Sequence, residues 1–263
     1  MANPKVSVVQ YLNTAPLVWG MVKGEQRGKY DLEFTVPSAC ADAVRQHKAD
    51  VGIVPSIEYQ RMERAQIIAG ISIASKGEVK SVLLLSKKPI EKIQSIAADN
   101  SSRTSAALVR IVMRKFYSRF VNITPSAPKP DAMLKRADAA LIIGDPALTY
   151  DGSIAEVYDL AAEWKKFTGL PFVFAVWAGH EDAMLSHYRK DFELSREYGL
   201  AHVDEIAAEY SPKLKMTPQA LKVYLTQNID YSLDEGNRKG LREFYRLARE
   251  TGIIPVEKDL YFA

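Results

Sequence analysis

Cysteine is nearly absent: one residue, Cys40, in 263. A disulfide within the chain is excluded, which fits a reducing compartment, and no Cys–His cluster offers the spacing of a zinc site. Histidine is almost as scarce. His47, His180, His187 and His202 all lie outside residues 85–178 and away from the predicted strand-end corners, and each reads as a surface helix residue. A Ser-His-Asp hydrolase therefore lacks its base, and the Gly-x-Ser-x-Gly elbow is missing too. Neither Gly-x-Gly-x-x-Gly nor a Walker-type loop occurs, so no nucleotide or dinucleotide cofactor is expected, and no metal. Charge of one sign does not dominate: 35 basic residues stand against 32 acidic ones, a net +3 too slight and dispersed for nucleic acid. No apolar run approaches the roughly 20 residues that span a bilayer. Met1-Ala-Asn-Pro-Lys5 lacks the basic, apolar and small-residue regions of a signal peptide. The expectation is a cytoplasmic globular protein without membrane or nucleic-acid partners; its oligomeric state is not legible.

What the chain does have is a repeated corner. Residues 6–12 form an apolar run that reads as a buried strand, followed at once by Asn13-Thr14 and Pro16, the residues of a helix start. In open α/β sheets, ligands bind where strand ends meet helix N-termini. The strand at 51–54 runs into Pro55-Ser56, that at 96–100 into Ser101-Ser-Arg-Thr-Ser105, and that at 140–144 into Asp145-Pro146. Helices are predicted over 17–23, 38–49, 57–64, 106–117, 131–137 and 161–167, and further strands over 32–36, 67–74, 82–85, 121–124 and 171–178. From His180 the strands vanish and helical spacing of apolar residues continues to the end. Alternating strands and helices imply parallel sheets. The economical arrangement is two α/β lobes, residues 1–84 plus 178–263 and residues 85–177, with extended crossings and a cleft between the lobes for a small anion.

Each corner has a structural and a functional reading. Ser101–Ser105 surrounds a helix N-terminus with four hydroxyls. That makes either a well-capped helix with Arg103 at solvent or an anion site in which Arg103 grips a carboxylate in two places. Gly144-Asp145-Pro146 is either a capped helix start or a set of amides facing the cleft, and Pro55-Ser56 carries the same ambiguity. Ser81 stands before a buried strand with no activating base. Asp99 and Asp145 are set aside as an acid–base pair, because no desolvated carboxylate environment is visible. Phe172, Phe174 and Trp177 read as core.

Five blocks in register carry a resemblance: Tyr11-Leu-Asn-Thr-Ala-Pro-Leu17, Val79-Lys-Ser-Val-Leu-Leu-Leu-Ser86, Ser102-Arg-Thr-Ser105, Leu141-Ile-Ile-Gly-Asp-Pro-Ala-Leu148 and Trp164-Lys-Lys-Phe-Thr-Gly-Leu-Pro-Phe-Val-Phe-Ala-Val-Trp-Ala178. Together they resemble the chorismate dehydratase family of the futalosine route to menaquinone, from the first strand to about Ala178. The resemblance implies a type II periplasmic-binding-protein-like fold with a two-strand hinge. The implied activity is a carbon–oxygen lyase that removes water from chorismate to give 3-(1-carboxyvinyloxy)benzoate. It implies Asn13 and Ser81 as the functional side chains, the helix start Ser102, Arg103, Thr104 and Ser105 as a carboxylate holder, and the substrate's own enolpyruvyl carboxylate as the base. Ser56, Gly144 and Asp145 complete the expected site. Two rivals share the fold. One is a non-catalytic solute-binding protein. The other is the sister 1,4-dihydroxy-6-naphthoate synthase, whose His base in the second lobe has no counterpart here.

Overall fold

The computed structural model describes residues 3–151 and 156–263. The chain begins with β1 (Lys5–Val9), α1 (Ala15–Val22), β2 (Asp31–Thr35), α2 (Pro37–Arg45), β3 (Val51–Pro55), α3 (Ser56–Tyr59) and β4 (Ala65–Ser75). It crosses to β5 (Val82–Ser86), β6 (Ser95–Asp99), α4 (Arg103–Ile111), β7 (Asn122–Ser126), α5 (Pro130–Arg136), β8 (Ala139–Ile143), α6 (Gly144–Leu148), β9 (Glu156–Asp159) and α7 (Leu160–Thr168). It returns through β10 (Phe172–His180) to α8 (Arg189–Ala201), α9 (Val203–Leu214), α10 (Pro218–Val223), β11 (Asp230–Leu233) and α11 (Glu235–Glu250).

Two sheets result, in the orders β11-β4-β10-β3-β1-β2 and β7-β6-β8-β5-β9. In the first, β1 runs parallel to β2 and β3, while β10 is antiparallel to β3 and β4; in the second, β6 runs parallel to β7 and β8, and β5 is antiparallel to β8 and β9. The central strands β3 and β8, each with one parallel and one antiparallel neighbour, are buried at every residue, as strands covered on both faces require. Each sheet thus receives one strand straight from a crossing, β5 or β10. The crossings themselves are the short connections 76–81 and 169–171. The boundaries expected at 84/85 and 177/178 fall inside those two strands. Whole-strand pairing moves both a few residues earlier, because a strand cannot be shared between sheets without giving up its ladder bonds.

The helical tail is not free of strands. β11 pairs antiparallel with β4, and a bridge joins Ile67 to Phe262. β9, a half-exposed edge strand, is a second element absent from the sequence expectation. The tail buries its apolar faces mainly on the first lobe. α8 lies against α1 so closely that a Cβ on Gly199 would stand 2.0 Å from the Pro16 carbonyl oxygen. Ser195 fastens the same contact, its hydroxyl donating to the Leu17 carbonyl at 2.8 Å. α11 buries Leu241, Phe244 and Tyr245, with the Phe244 and Phe172 rings 4.9 Å apart. One hydrophobic cluster runs through both lobes; a smaller one, around Leu85, Met133 and Ile142, lies in the second. No helix among the described residues is long and apolar enough to cross a membrane.

Candidate active site

The strand ends converge on a partly open cleft between the lobes, whose empty space, its solvent-filled mouth included, is about 530 Å³. The turn after β1 brings Asn13 to it. Residues Leu12–Thr14 form a single 3-10 turn, and α1 begins at Ala15 with Pro16 in its first turn. No side chain caps α1, so the Asn13 carboxamide is not engaged there; among the described residues its Oδ1 accepts only the Thr14 hydroxyl, at 3.4 Å. Ser81 arrives from the first crossing, which Asp159 pins by accepting the Val79 and Lys80 N–H groups at 2.9 and 2.7 Å. The other oxygen of Asp159 caps α7.

Ser102 caps α4, its hydroxyl accepting the Ser105 N–H at 3.2 Å, and Ser102, Thr104 and Ser105 all line the cavity. Gly144 completes that wall and could be no other residue. Its φ is +63°, and a Cβ would lie 2.6 Å from the Tyr11 ring. Its N–H donates to the Ser81 carbonyl at 2.8 Å. The rest of the lining is apolar, including Val9, Ile53, Ile73 and Ile143, with the rings of Tyr11 and Phe174. Among the described lining residues there is no Asp, Glu, Lys, Arg or His.

Three expected site residues stand elsewhere. The Arg103 guanidinium does not reach the cavity. It donates to both oxygens of Asp42, each at 2.9 Å, and to Glu58 at 2.7 Å, because two carboxylates of the first lobe satisfy its fork. Ser56 lies beneath the lining, its hydroxyl donating to the Val173 carbonyl at 2.8 Å. Asp145 does not cap its helix. It reaches across to accept the Leu12 N–H at 3.0 Å, and burial pushes its pKa up to about 6.

Three other expectations change as well. Asp99 and Asp145 both sit in desolvated surroundings, although neither lines the cavity; Asp99 is buried, with Oδ1 accepting the Ser101 hydroxyl and Oδ2 without a hydrogen-bond partner among the described residues. Phe174 is cavity wall rather than core. His180 ends β10 instead of lying on a helix, stacked on His47 with centroids 4.0 Å apart, at the opposite end of that strand from Phe174.

One functional candidate leaves no trace in the sequence. Tyr224, fully buried behind the cavity wall, donates its hydroxyl to Ser81 Oγ at 2.8 Å. Its spacing beside Leu221 and Leu225 marks it as ordinary helix core, and nothing local shows that its hydroxyl meets a residue more than 140 positions earlier. Among the described residues no group of three or more His, Cys, Asp or Glu is placed to hold a metal ion.

Similarity to known proteins is found at two levels, fold and sequence. For the fold, a crystal structure of an Archaeoglobus fulgidus protein superposes with a TM-score of 0.74 at 16% identity, covering 95% of this chain and 98% of that one. The periplasmic aliphatic sulphonate binding protein SsuA from Escherichia coli gives 0.69 at 13% identity, covering 99% and 96%. The two lobes therefore have the periplasmic-binding-protein fold. In sequence, a chorismate dehydratase of Thermus thermophilus is 26% identical over 89% of this chain and 91% of its own length. A second, from Campylobacter jejuni, is 26% identical over 92% and 96%. The profile of a family described as menaquinone biosynthesis matches residues 4–250, nearly the whole chain, and the chain belongs to that family.

Proposed function

We propose that this protein is a chorismate dehydratase, a hydro-lyase that converts chorismate to 3-(1-carboxyvinyloxy)benzoate for menaquinone. Family membership and the two chorismate dehydratases it resembles support the substrate. The observation that carries the chemistry is the composition of the cavity: apolar walls and neutral hydrogen-bonding tips, with no imidazole, carboxylate or amine in the lining.

Such a cavity suits a reaction whose base comes with the substrate. Chorismate bears a ring carboxylate, an enolpyruvyl carboxylate, a hydroxyl, and a ring C–H beside the enolpyruvyl ether. The enolpyruvyl carboxylate takes the proton of that C–H. The electron pair left behind becomes a ring double bond, the neighbouring C–O bond breaks, and the departing hydroxide takes the proton back from the enolpyruvyl carboxylic acid, leaving as water and restoring the carboxylate. The ring becomes aromatic, so the driving force lies in the substrate. What the protein supplies is orientation: Ser102, Thr104 and Ser105 at the start of α4 hold the ring carboxylate. Asn13 and Ser81 hold the enolpyruvyl carboxylate against the C–H, and the apolar walls exclude water. Holding the groups in a reactive geometry can supply about 7 kcal/mol or more of the barrier.

Turnover of chorismate by Asn13→Ala and Ser81→Ala tests the assignment. Each change is expected to lower kcat/KM by about a hundredfold, the loss expected when orientation fails. Full activity in both variants would refute it.

A further inference from the structure

Where α10 ends, the helix widens into a π turn over Tyr224–Asn228. Turns of this kind carry functional groups more often than regular helix does. This one grips the first crossing at two points: Asn228 donates its amide to the Glu78 carbonyl at 3.1 Å, and Tyr224 donates its hydroxyl to Ser81 Oγ at 2.8 Å. The direction of the second bond fixes the donor sense at Ser81: a phenol has one proton, and here it goes to Ser81 Oγ.

Ser81, its lone pair occupied by Tyr224, has its own proton left over. Among the described residues that proton meets only the Val79 carbonyl, at a long 3.4 Å, and the other direction is the cavity. The chain Tyr224 O–H to Ser81 O–H therefore points a donor at whatever anion the cavity holds. Each link in such a chain strengthens the next by about 10–30%. Burial raises the Tyr224 pKa, with the charges of Asp145 and Asp159 adding to it, so the phenol keeps its proton throughout the working range.

We propose that Tyr224 is a positioning residue of the dehydration, fixing the rotamer and the donor sense of Ser81 from behind the cavity wall. This rests on the reading that Asn13 and Ser81 hold the substrate. Tyr224 touches no substrate itself; it acts through Ser81, and through it the helical tail contributes to a site otherwise built by residues 9–175.

The test is Tyr224→Phe, alone and in the Ser81→Ala background, with chorismate turnover read well below each variant's unfolding temperature. The single change is expected to lower kcat by about ten- to a hundredfold while KM stays within about twofold, the pattern of lost orientation without lost binding. With Ser81 already alanine, the same change is expected to cost little more, because there is no hydroxyl left to orient. Turnover within about twofold of the parent would overturn the proposal. So would a rise in KM at unchanged kcat, or losses that simply multiply in the double variant. If Asn13→Ala and Ser81→Ala themselves kept full turnover, the functional reading would fall and this inference with it. If they lost turnover while Tyr224→Phe did not, the inference alone would fall.

Discussion

Asp145 is a carboxylate in a poor place for a charge. Its Oδ1 receives one N–H, that of Leu12, and burial outweighs this single bond, lifting its pKa to about 6. The unfolded chain holds the same group near the usual carboxylate value of about 4. Above pH 6 both states are ionised and the folded one bears the desolvation cost, at most about 3 kcal/mol and less for a side chain that water partly reaches. As the pH falls from about 6 toward 4, the folded state binds the proton first and the cost is relieved. Asp145→Asn keeps an oxygen for Leu12 and removes the charge. The variant is expected to melt several degrees above the parent at pH 7.5, at about 2–4 °C per kcal/mol, and to lose that advantage at pH 4.5. Melting curves at the two pH values check this; a lower melting temperature at pH 7.5 would mean that the charge itself anchors the Leu12–Thr14 turn.

Among the elements, the seating of α8 on α1 leaves the least room. Gly199 lies against the Pro16 backbone, where an alanine Cβ would overlap the carbonyl by more than an ångström. Backbone cannot swing aside as a long side chain does. Gly199→Ala is therefore expected to cost about 1–3 kcal/mol in a denaturant titration, with Gly77→Ala, in open space at ordinary φ, as the neutral control. Equal midpoints for the two variants would contradict the close packing.

The same scale shows how much of the fold is legible in the sequence. The buried strands β3, β8 and β10 and the capped helix α4 are plain there, since unbroken apolar runs and a Ser-rich helix start are local signals. β9 and β11 are not, because Glu156-Val-Tyr-Asp159 and Asp230-Tyr-Ser-Leu233 are short and half polar, and only their partners make them strands. Asn13, Ser81, Ser102, Thr104, Ser105 and Gly144 are candidates by their place at strand ends and crossings, and the fold brings all six to one cavity. Ser56, Arg103 and Asp145 stand at similar strand ends but are drawn off by distant partners: the Val173 carbonyl, the Asp42–Glu58 pair and the Leu12 amide. Tyr224 escapes a sequence reading for the converse reason, since its importance lies in long-range contacts alone.

At the scale of the whole molecule, the two lobes are joined by more than their crossings. Arg103, at the start of α4, bonds Asp42 on α2 and Glu58 on α3, and Glu58, almost fully buried, also meets Arg45 and Arg61. The Ile57 N–H donates to Thr104 Oγ1 at 3.2 Å, the Ser38 N–H to the Ser101 carbonyl at 3.1 Å, and the Leu12 N–H to Asp145. These ties hold the α4 hydroxyls opposite Asn13 and Ser81, which makes the cavity an oriented frame for a doubly charged ring. In the proposed function, such a frame dehydrates chorismate with the substrate's own carboxylate as base. The experiment that tests this most directly gives the purified protein chorismate and, separately, chorismate with the enolpyruvyl carboxylate capped as an amide, and follows the products by mass and ultraviolet absorbance. Chorismate is expected to become an aromatic product lighter by one water, and the capped compound to stay intact. Chorismate recovered unchanged after binding, or the capped compound converted at the same rate, would contradict it.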